Sequence, residues 1–262
     1  MYRFYELGNS YGESNSWDLS FAAGLLSWME PTALKKMMLL MFKAGILDHS
    51  YLSWDGGRGG FYAQGPFSGM EMVMRYMDTA GDQDCLGWDT GGGVTILQKL
   101  IETGLEMNRT FAKGRSDGLL DVGAGTGKML EIEEDDYQHV IGAVNTMAVN
   151  YYHTLARWCA DQKNSSCVDT FKSLGENLSA QVNAKLWDDD LGWYGNMYPG
   201  EDEPRTVLSY HTLEALRSFG PGRFAAAVPA SRRERMLSRF TEGELLAPTV
   251  RHTRSLANDA SC

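Results

Sequence analysis

The most conspicuous candidate for chemistry in the sequence is a glycine-rich turn, LLDVGAGTG, at residues 119–127. Glycines in such a turn let the backbone approach a nucleotide cofactor, and a carboxylate about 20 residues further on binds the ribose hydroxyls. The corresponding stretch reads HVIGAVN, so Asn145 stands where that carboxylate is needed. The glycine-rich turn without its acidic partner is weak evidence for cofactor binding.

The same turn matches the first motif of class I methyltransferases almost letter for letter. An S-adenosylmethionine-dependent methyltransferase is therefore one interpretation of the chain. That fold requires strands to alternate with helices, yet long amphipathic helices follow the motif and further helical patterns precede it. We keep the methyltransferase as an alternative.

The spacing of apolar residues predicts an all-α protein built of helical hairpins. Eight segments show helical spacing, and hardly any segment alternates with the period of two that is typical of strands. In the first helix, Trp17, Phe21, Leu25 and Met29 recur at every fourth position, which predicts that this face packs against the core. The other predicted helices cover Pro31 to Gly45, Met70 to Met77, Val94 to Leu105, Val140 to Trp158, Val168 to Val182, Val207 to Arg217 and Ala230 to Phe240.

Several segments, taken in chain order, resemble trehalases and the processing-α-glucosidase-like enzymes, which are six-hairpin glycosidases. The segments are SWDLSFAAGLLSWMEP, YAQGPFSGMEMVMRYMDTAGD, DGLLDVGAGTGKMLE, YQHVIGAVNTMAVNYYHTLA and LWDDDLGWY. The resemblance spans Trp17 to Tyr194 and implies an (α/α)6 toroid of twelve helices with a sugar site at one open end. It also implies inverting hydrolysis of an α-glucoside-like disaccharide or oligosaccharide, with no cofactor and no metal.

The resemblance assigns sugar-binding roles to particular residues. Trp17 and Asp18 correspond to the pair that holds the nonreducing sugar, the indole by its face and the carboxylate by hydrogen bonds to hydroxyls. Gln64 corresponds to the glutamine of a Q-P-P-like loop, although Gly65 replaces the first proline. The implied set also includes Asn145, Trp187 and Tyr194. On the residues alone, Trp17 is equally well a core residue and Asp18 a helix N-cap.

The resemblance also identifies Asp121 as the general acid. Glycosidic cleavage needs a protonated carboxyl beside the leaving oxygen, and apolar surroundings raise the pKa of such a group. Leu119, Leu120 and Val122 are suited to that role. Glu131 is the second candidate for the acid, and the competing interpretation of Asp121 is a turn-capping aspartate.

An inverting glycosidase also needs a second carboxylate that activates water, ~6.5–9.5 Å from the acid. In the resembling families this base lies late in the chain, and no acid near the C-terminus here has a motif that recommends it. We therefore expect residues 1–262 to form a single incomplete toroid, completed by a partner chain or a further C-terminal segment and exposing apolar surface at its open face. A noncatalytic carbohydrate-binding toroid is the other alternative.

Composition and charge exclude other classes. The net charge of −10 without a basic stripe argues against nucleic-acid binding, and the longest apolar run, Met37 to Phe42, is too short to cross a membrane. Cys159 and Cys167 flank a short polar turn and can pair if the protein is secreted, where the N-x-S/T triplets at Asn108, Asn164 and Asn177 would also matter. The N-terminal residues show no signal pattern, so the compartment stays open between the cytoplasm and secretion after leader removal.

Overall fold

The computed structural model describes residues 13–49, 51–53, 57–124, 138–201, 203–204 and 228–241. These residues form seven α-helices, one short 3-10 helix and four short strands, which confirms the predicted all-α class. The predicted helix from Val207 to Arg217 lies outside the described residues. The chain divides into two compact units, Met1–Glu106 with Gly127–Glu131 and Met107–Thr126 with Ile132–Cys262.

The first unit holds the paired helices that precede residue 107. Its elements are β1 (Glu13–Asn15), α1 (Ser16–Met29), α2 (Pro31–Ala44), β2 (Tyr51–Ser53), α3 (Gly65–Ala80), the 3-10 helix Gln83–Gly87 and most of α4 (Ile96–Phe111). As predicted, α2 begins at Pro31 and ends next to Gly45, the C-cap residue, whose φ of 87° fits a left-handed helix cap. The strands β1 and β2 pair antiparallel, with Asn15 opposite Tyr51, so α1 begins beside the segment that leads from α2 to α3.

Helix α1 packs mainly against α3 and less against its chain neighbour α2. Both helices start near the segment after α2, because β2 lies beside the start of α1 and the Leu47 carbonyl lies against Gly65 at the start of α3. A Cβ atom at Gly24, about two turns into α1, would lie 3.6 Å from the guanidinium of Arg75, about three turns into α3. The two helices therefore run in the same direction.

The buried face of α1 differs from the prediction. Trp17 and Phe21 are half-buried. Leu25, Met29 and Trp28, in contrast, are 60%, 61% and 76% exposed. The buried side chains are mostly small, namely Ser16, Leu19, Ser20, Ala23 and Ser27. The prediction was wrong because it placed the largest side chains in the core, whereas small side chains allow α1 and α3 to approach closely.

The second unit is organised around one central helix. Its elements are the end of α4, α5 (Gly142–Asp161), α6 (Ser165–Lys185), β3 (Trp187–Asp188), β4 (Trp193–Tyr194) and α7 (Ala230–Thr241). Helix α5 is buried over most of its circumference, including the predicted face with Val144, Met147 and Tyr151. Helix α6 packs on α5 through a stripe formed by Phe171, Gly175, Leu178 and Val182. None of the described helices is both long and apolar enough to cross a membrane.

The turn between α5 and α6 is fixed by a disulfide and a cap. Asn164 caps α6, because its side-chain oxygen accepts a hydrogen bond of 3.2 Å from the backbone N–H of Cys167. A disulfide joins Cys159 in the last turn of α5 to Cys167 in the first turn of α6, with 5.8 Å between the Cα atoms. The cysteine pair that the sequence left open is therefore formed in the structure.

Replacing Cys159 and Cys167 together by serine should lower the free energy of unfolding of the oxidised chain by about 2–3 kcal/mol, because the bond restricts the unfolded chain over a short loop. Urea denaturation at fixed pH measures the difference. Dithiothreitol should destabilise the native chain similarly and leave the double variant unchanged. A double variant as stable as the oxidised native chain would contradict a stabilising disulfide.

Candidate functional site

The carboxylate of Asp121 lies in the loop that leads to α5 and is 21% exposed. Its Oδ1 atom accepts a hydrogen bond of 2.8 Å from the Gly123 backbone N–H and lies 3.2 Å from Nδ1 of His139. Its Oδ2 atom lies 3.7 Å from Nη1 of Arg115. The carboxylate therefore faces a permanent cation and an ionisable imidazole.

Both interpretations of Asp121 find support in this geometry. The hydrogen bond from the amide two residues further on is the capping contact of an Asx turn. The apolar neighbours expected for a general acid are also present, since Leu119, Leu120 and Val122 are buried. The capping hydrogen bond uses only the Oδ1 atom of the carboxylate. The Oδ2 atom is therefore left to face Arg115.

An ion pair holds Arg115 beside Asp121. Asp117 accepts two hydrogen bonds from the guanidinium, at 2.9 and 2.6 Å. Burial by itself would raise the pKa of Asp117, but the hydrogen bonds from Arg115 and the Leu119 amide, with the charges of Arg115 and Lys185, outweigh it and hold that pKa below its ordinary value. Asp117 therefore stays ionised and fixes the guanidinium in place.

His139 reaches Asp121 through an unusual backbone conformation. Its φ is 58°, in the left-handed region that non-glycine residues rarely adopt. Two backbone hydrogen bonds of 3.0 Å hold it there, one from the Val122 N–H to the His139 carbonyl and one from the His139 N–H to the Gly123 carbonyl. The imidazole also packs against Tyr198, with 5.5 Å between the ring centroids. Residues in such conformations cluster at functional sites.

The side chain of Asn145 holds the same loop in place through hydrogen bonds to its backbone. The side chain is fully buried, and its Oδ1 atom accepts a hydrogen bond of 2.8 Å from the Leu120 N–H. Its Nδ2 atom donates to the carbonyls of Leu120 and Ile141, at 2.9 and 3.0 Å. Asn145 thus holds the residue immediately before Asp121, and a direct contact between Asn145 and a sugar stays a prediction.

Trp187 and Tyr194 are buried partners in the short hairpin of β3 and β4. They are paired across the hairpin, with their ring centroids 5.0 Å apart. The indole N–H of Trp187 donates to Asp189 at 2.7 Å, and the Tyr194 hydroxyl donates to Asn183 at 2.6 Å. Burial raises the pKa of Tyr194 to about 12. In this structure both residues support the fold of the hairpin, and their predicted contact with substrate is untested.

The continuation of that hairpin reaches the start of α5. The Asn196 side chain accepts a hydrogen bond of 2.9 Å from the Gly142 N–H, and Val140 forms an antiparallel bridge with Met197. A Cβ atom at position 142 would lie 2.5 Å from the Gly195 carbonyl oxygen, so only glycine fits there. Three segments therefore meet at this end of α5, namely residues 115–123, 138–141 and 195–198.

The first unit contains the other predicted sugar-binding residues. Asp18 lies in the first turn of α1, which begins at Ser16 with Asn15 in the cap position, so the N-cap interpretation of Asp18 is wrong. Its half-buried carboxylate has no hydrogen bond or ion pair with the residues that the structure describes. The Trp17 ring is half-buried and packs edge-to-face on Phe21, with 4.5 Å between centroids. Asp18 therefore retains its capacity to accept hydrogen bonds from a ligand.

Gln64 directly precedes α3 and is only 3% exposed. A Cβ atom at Gly65 would lie 2.8 Å from the Leu47 carbonyl oxygen. A proline ring would not fit at this position. Glu131, the second predicted acid, lies outside the described residues.

The sequence reasoning missed Arg115, Asp117 and the role of His139. No motif in the sequence assigns a role to Arg115, Asp117 or His139. Nothing in their spacing indicates that they approach Asp121, because loop packing brings them together. Apolar periodicity could not have predicted that these residues lie beside Asp121.

The chain matches no protein-family model, and no curated protein matches it either. The methyltransferase alternative receives no support from the local structure. Residues 119–124 form no strand, and the described strands build only two-stranded antiparallel sheets. The described part of the chain therefore lacks the parallel sheet that positions a glycine-rich cofactor turn.

Replacing Asn145 by alanine should destabilise the fold by about 3 kcal/mol, because it removes the partners that the Asn145 side chain gives to the buried N–H and carbonyl of Leu120. Chemical denaturation measures the loss, and hydrogen exchange should report faster exchange of the Leu120 amide. Asn177→Ala, at an exposed helical position, is the matched control and should change stability by less than about 0.5 kcal/mol. Equal effects of the two substitutions would contradict the positioning role of Asn145.

Proposed function

We propose that the chain is a glycoside hydrolase that cleaves α-glucoside-like disaccharides or oligosaccharides with inversion, and that Asp121 is its general acid. The observation that carries the proposal is the surroundings of Asp121. Its carboxylate is partly exposed, its backbone is held by Asn145 through Leu120, and it faces both Arg115 and His139. The resemblance to the six-hairpin glycosidases supplies the reaction class.

Within the first unit, the positions of the candidate residues fit helical hairpins of the kind that build a toroid. Trp17 and Asp18 lie in the first turn of α1, and Gln64 directly precedes α3. In a ring of antiparallel helical pairs, the first helices of all pairs run in the same direction and begin at one end. The common direction of α1 and α3 fits this arrangement, as does the placement of sugar-binding residues at helix starts.

The proposed chemistry assigns a distinct role to each group around Asp121. Protonated Asp121 donates its proton to the glycosidic oxygen as the bond to the anomeric carbon breaks. Arg115 stabilises the carboxylate that this transfer leaves behind, and His139 lies close enough to Asp121 to return a proton. A second carboxylate must activate the water. No residue of this chain is assigned to that role, and Glu131, the second candidate for the acid, lies outside the described residues.

Asp121→Asn should lower kcat for the hydrolysis of trehalose or a short α-glucoside by at least about 100-fold, because the leaving oxygen then departs without a proton. Glucose release by the purified full chain measures the rate. Asp161→Asn, which changes an exposed carboxylate at the end of α5, is the matched control and should retain full activity.

An activated substrate distinguishes loss of acid catalysis from loss of folding. α-Glucosyl fluoride needs little protonation of its leaving group, so Asp121→Asn should retain far more activity on it than on trehalose. Equal losses on both substrates would contradict the assignment of Asp121 as the acid. A native chain without activity on any glycoside would contradict hydrolysis by residues 1–262 alone.

A noncatalytic sugar-binding protein is the second candidate function. It is favoured by Asp18, whose half-buried carboxylate has no partner among the described residues and which directly follows the half-buried Trp17 in the first turn of α1. A carboxylate beside an aromatic face is a common way to bind a sugar, since the ring stacks and the hydroxyls donate hydrogen bonds.

Asp18→Asn should weaken the binding of maltose or trehalose by about tenfold, since hydrogen bonds to a charged acceptor contribute about 1.5–3 kcal/mol. Titration calorimetry on the full chain measures the dissociation constant. Asp84→Asn, at another exposed position of the same unit, should leave it unchanged. Sugar binding by a chain without hydrolysis would select the binding function, and unchanged affinity in Asp18→Asn would remove Asp18 from the site.

A further inference from the structure

We propose that Asn177 on α6 is an acceptor for an N-linked oligosaccharide and that the α5–α6 hairpin is built for an oxidising compartment. The proposal does not depend on the proposed hydrolysis. It rests on two separate observations, the disulfide between Cys159 and Cys167 and the placement of the triplet Asn177-Leu178-Ser179 on α6.

The disulfide indicates the compartment. Structural disulfides persist in the secretory pathway and outside the cell, whereas reducing compartments keep thiols reduced. The disulfide joins the end of α5 to the start of α6, and the Asn164 cap lies in the same turn. The disulfide and the cap therefore both stabilise the turn between α5 and α6. Cys85 differs from this pair, because it is a buried free thiol in the first unit whose pKa is raised to about 12 by burial.

The position of Asn177 on α6 leaves room for a glycan. The stripe that packs against α5 runs through Phe171, Gly175, Leu178 and Val182. At 3.6 residues per turn, Asn177 lies roughly 130° from the centre of this stripe. Its side chain is exposed, and its Nδ2 atom donates a hydrogen bond of 3.4 Å to the hydroxyl of Ser173 on the same helix. An oligosaccharide on Nδ2 would project into solvent without disturbing the contact between α5 and α6.

The other two triplets are placed less favourably. Asn164 caps α6 and lies inside the loop that the disulfide closes, where the chain is constrained on both sides. Asn108 is half-buried on α4. Asn177 combines an exposed side chain with a position outside the disulfide loop, which makes it the acceptor that the structure favours.

The transfer is a substitution at a sugar carbon. The amide nitrogen Nδ2 of Asn177 forms a bond to the anomeric carbon of an oligosaccharide carried on a lipid diphosphate. The bond between that carbon and the diphosphate oxygen breaks, the lipid diphosphate leaves, and the amide loses one proton. The secretory pathway supplies both the donor and the transferase, and Ser179 provides the hydroxyl that completes the acceptor triplet.

The test is production of the full chain behind a cleavable secretion leader in eukaryotic cells, with both secreted and cell-associated protein analysed. Peptide-N-glycosidase digestion in heavy-oxygen water, followed by mass spectrometry, should convert residue 177 to labelled aspartate in most of the protein. Ser179→Ala, which keeps Asn177 in place, should abolish the label, and nonreducing peptide maps should show Cys159 linked to Cys167.

An unmodified Asn177 in both fractions would overturn the proposal, whatever the state of Asn164. Free thiols at Cys159 and Cys167 in the folded chain would overturn the assignment to an oxidising compartment. Because the readout is a mass and not a rate, loss of hydrolytic activity affects neither result. If Ser179→Ala fails to fold, occupancy in the native chain still decides the question.

Discussion

The arrangement of the second unit depends on one buried amide. Asn145 lies inside a helix that is enclosed by apolar side chains, where an unsatisfied polar group costs about 1–3 kcal/mol. Its side chain therefore has to find partners, and it finds them in Leu120 and Ile141. Since Leu120 belongs to the loop and Ile141 precedes α5, the loop cannot shift without leaving polar groups unpaired.

This constraint gives the neighbouring charges a fixed frame. The loop that Asn145 holds carries Asp121, and the bonds of the loop to His139 hold the imidazole in its left-handed conformation. Arg115 approaches from the end of α4, where Asp117 holds it. The charged groups thus lie on backbone that hydrogen bonds hold in place. The proposed general acid benefits from this arrangement, because groups that are already positioned need no reorganisation during the reaction.

The sequence predicted the helices well and their contacts less well. Apolar periodicity located α1 to α7, because apolar residues recur along each of them at helical spacing. On α1 it selected the wrong face, since periodicity weighs the size of Trp17 and Leu25 and ignores that serine and alanine permit closer helix packing. The motif order singled out Asp121 and Asn145, but only the folded chain reveals that Asn145 is buried. Arg115 and His139 were unpredictable, because loop closure, and not local pattern, brings them to Asp121.

The exposed end of α1 has a consequence for the behaviour of the chain in solution. Leu25, Trp28 and Met29 present apolar surface to water, and attraction between such surfaces is not weakened by salt. The net charge of −10 opposes it, because like-charged molecules repel each other. Salt limits that repulsion to about 8 Å at physiological ionic strength. Colloidal stability of the chain is therefore greatest in dilute buffer well above its isoelectric point of about 5.0, and falls as salt is added.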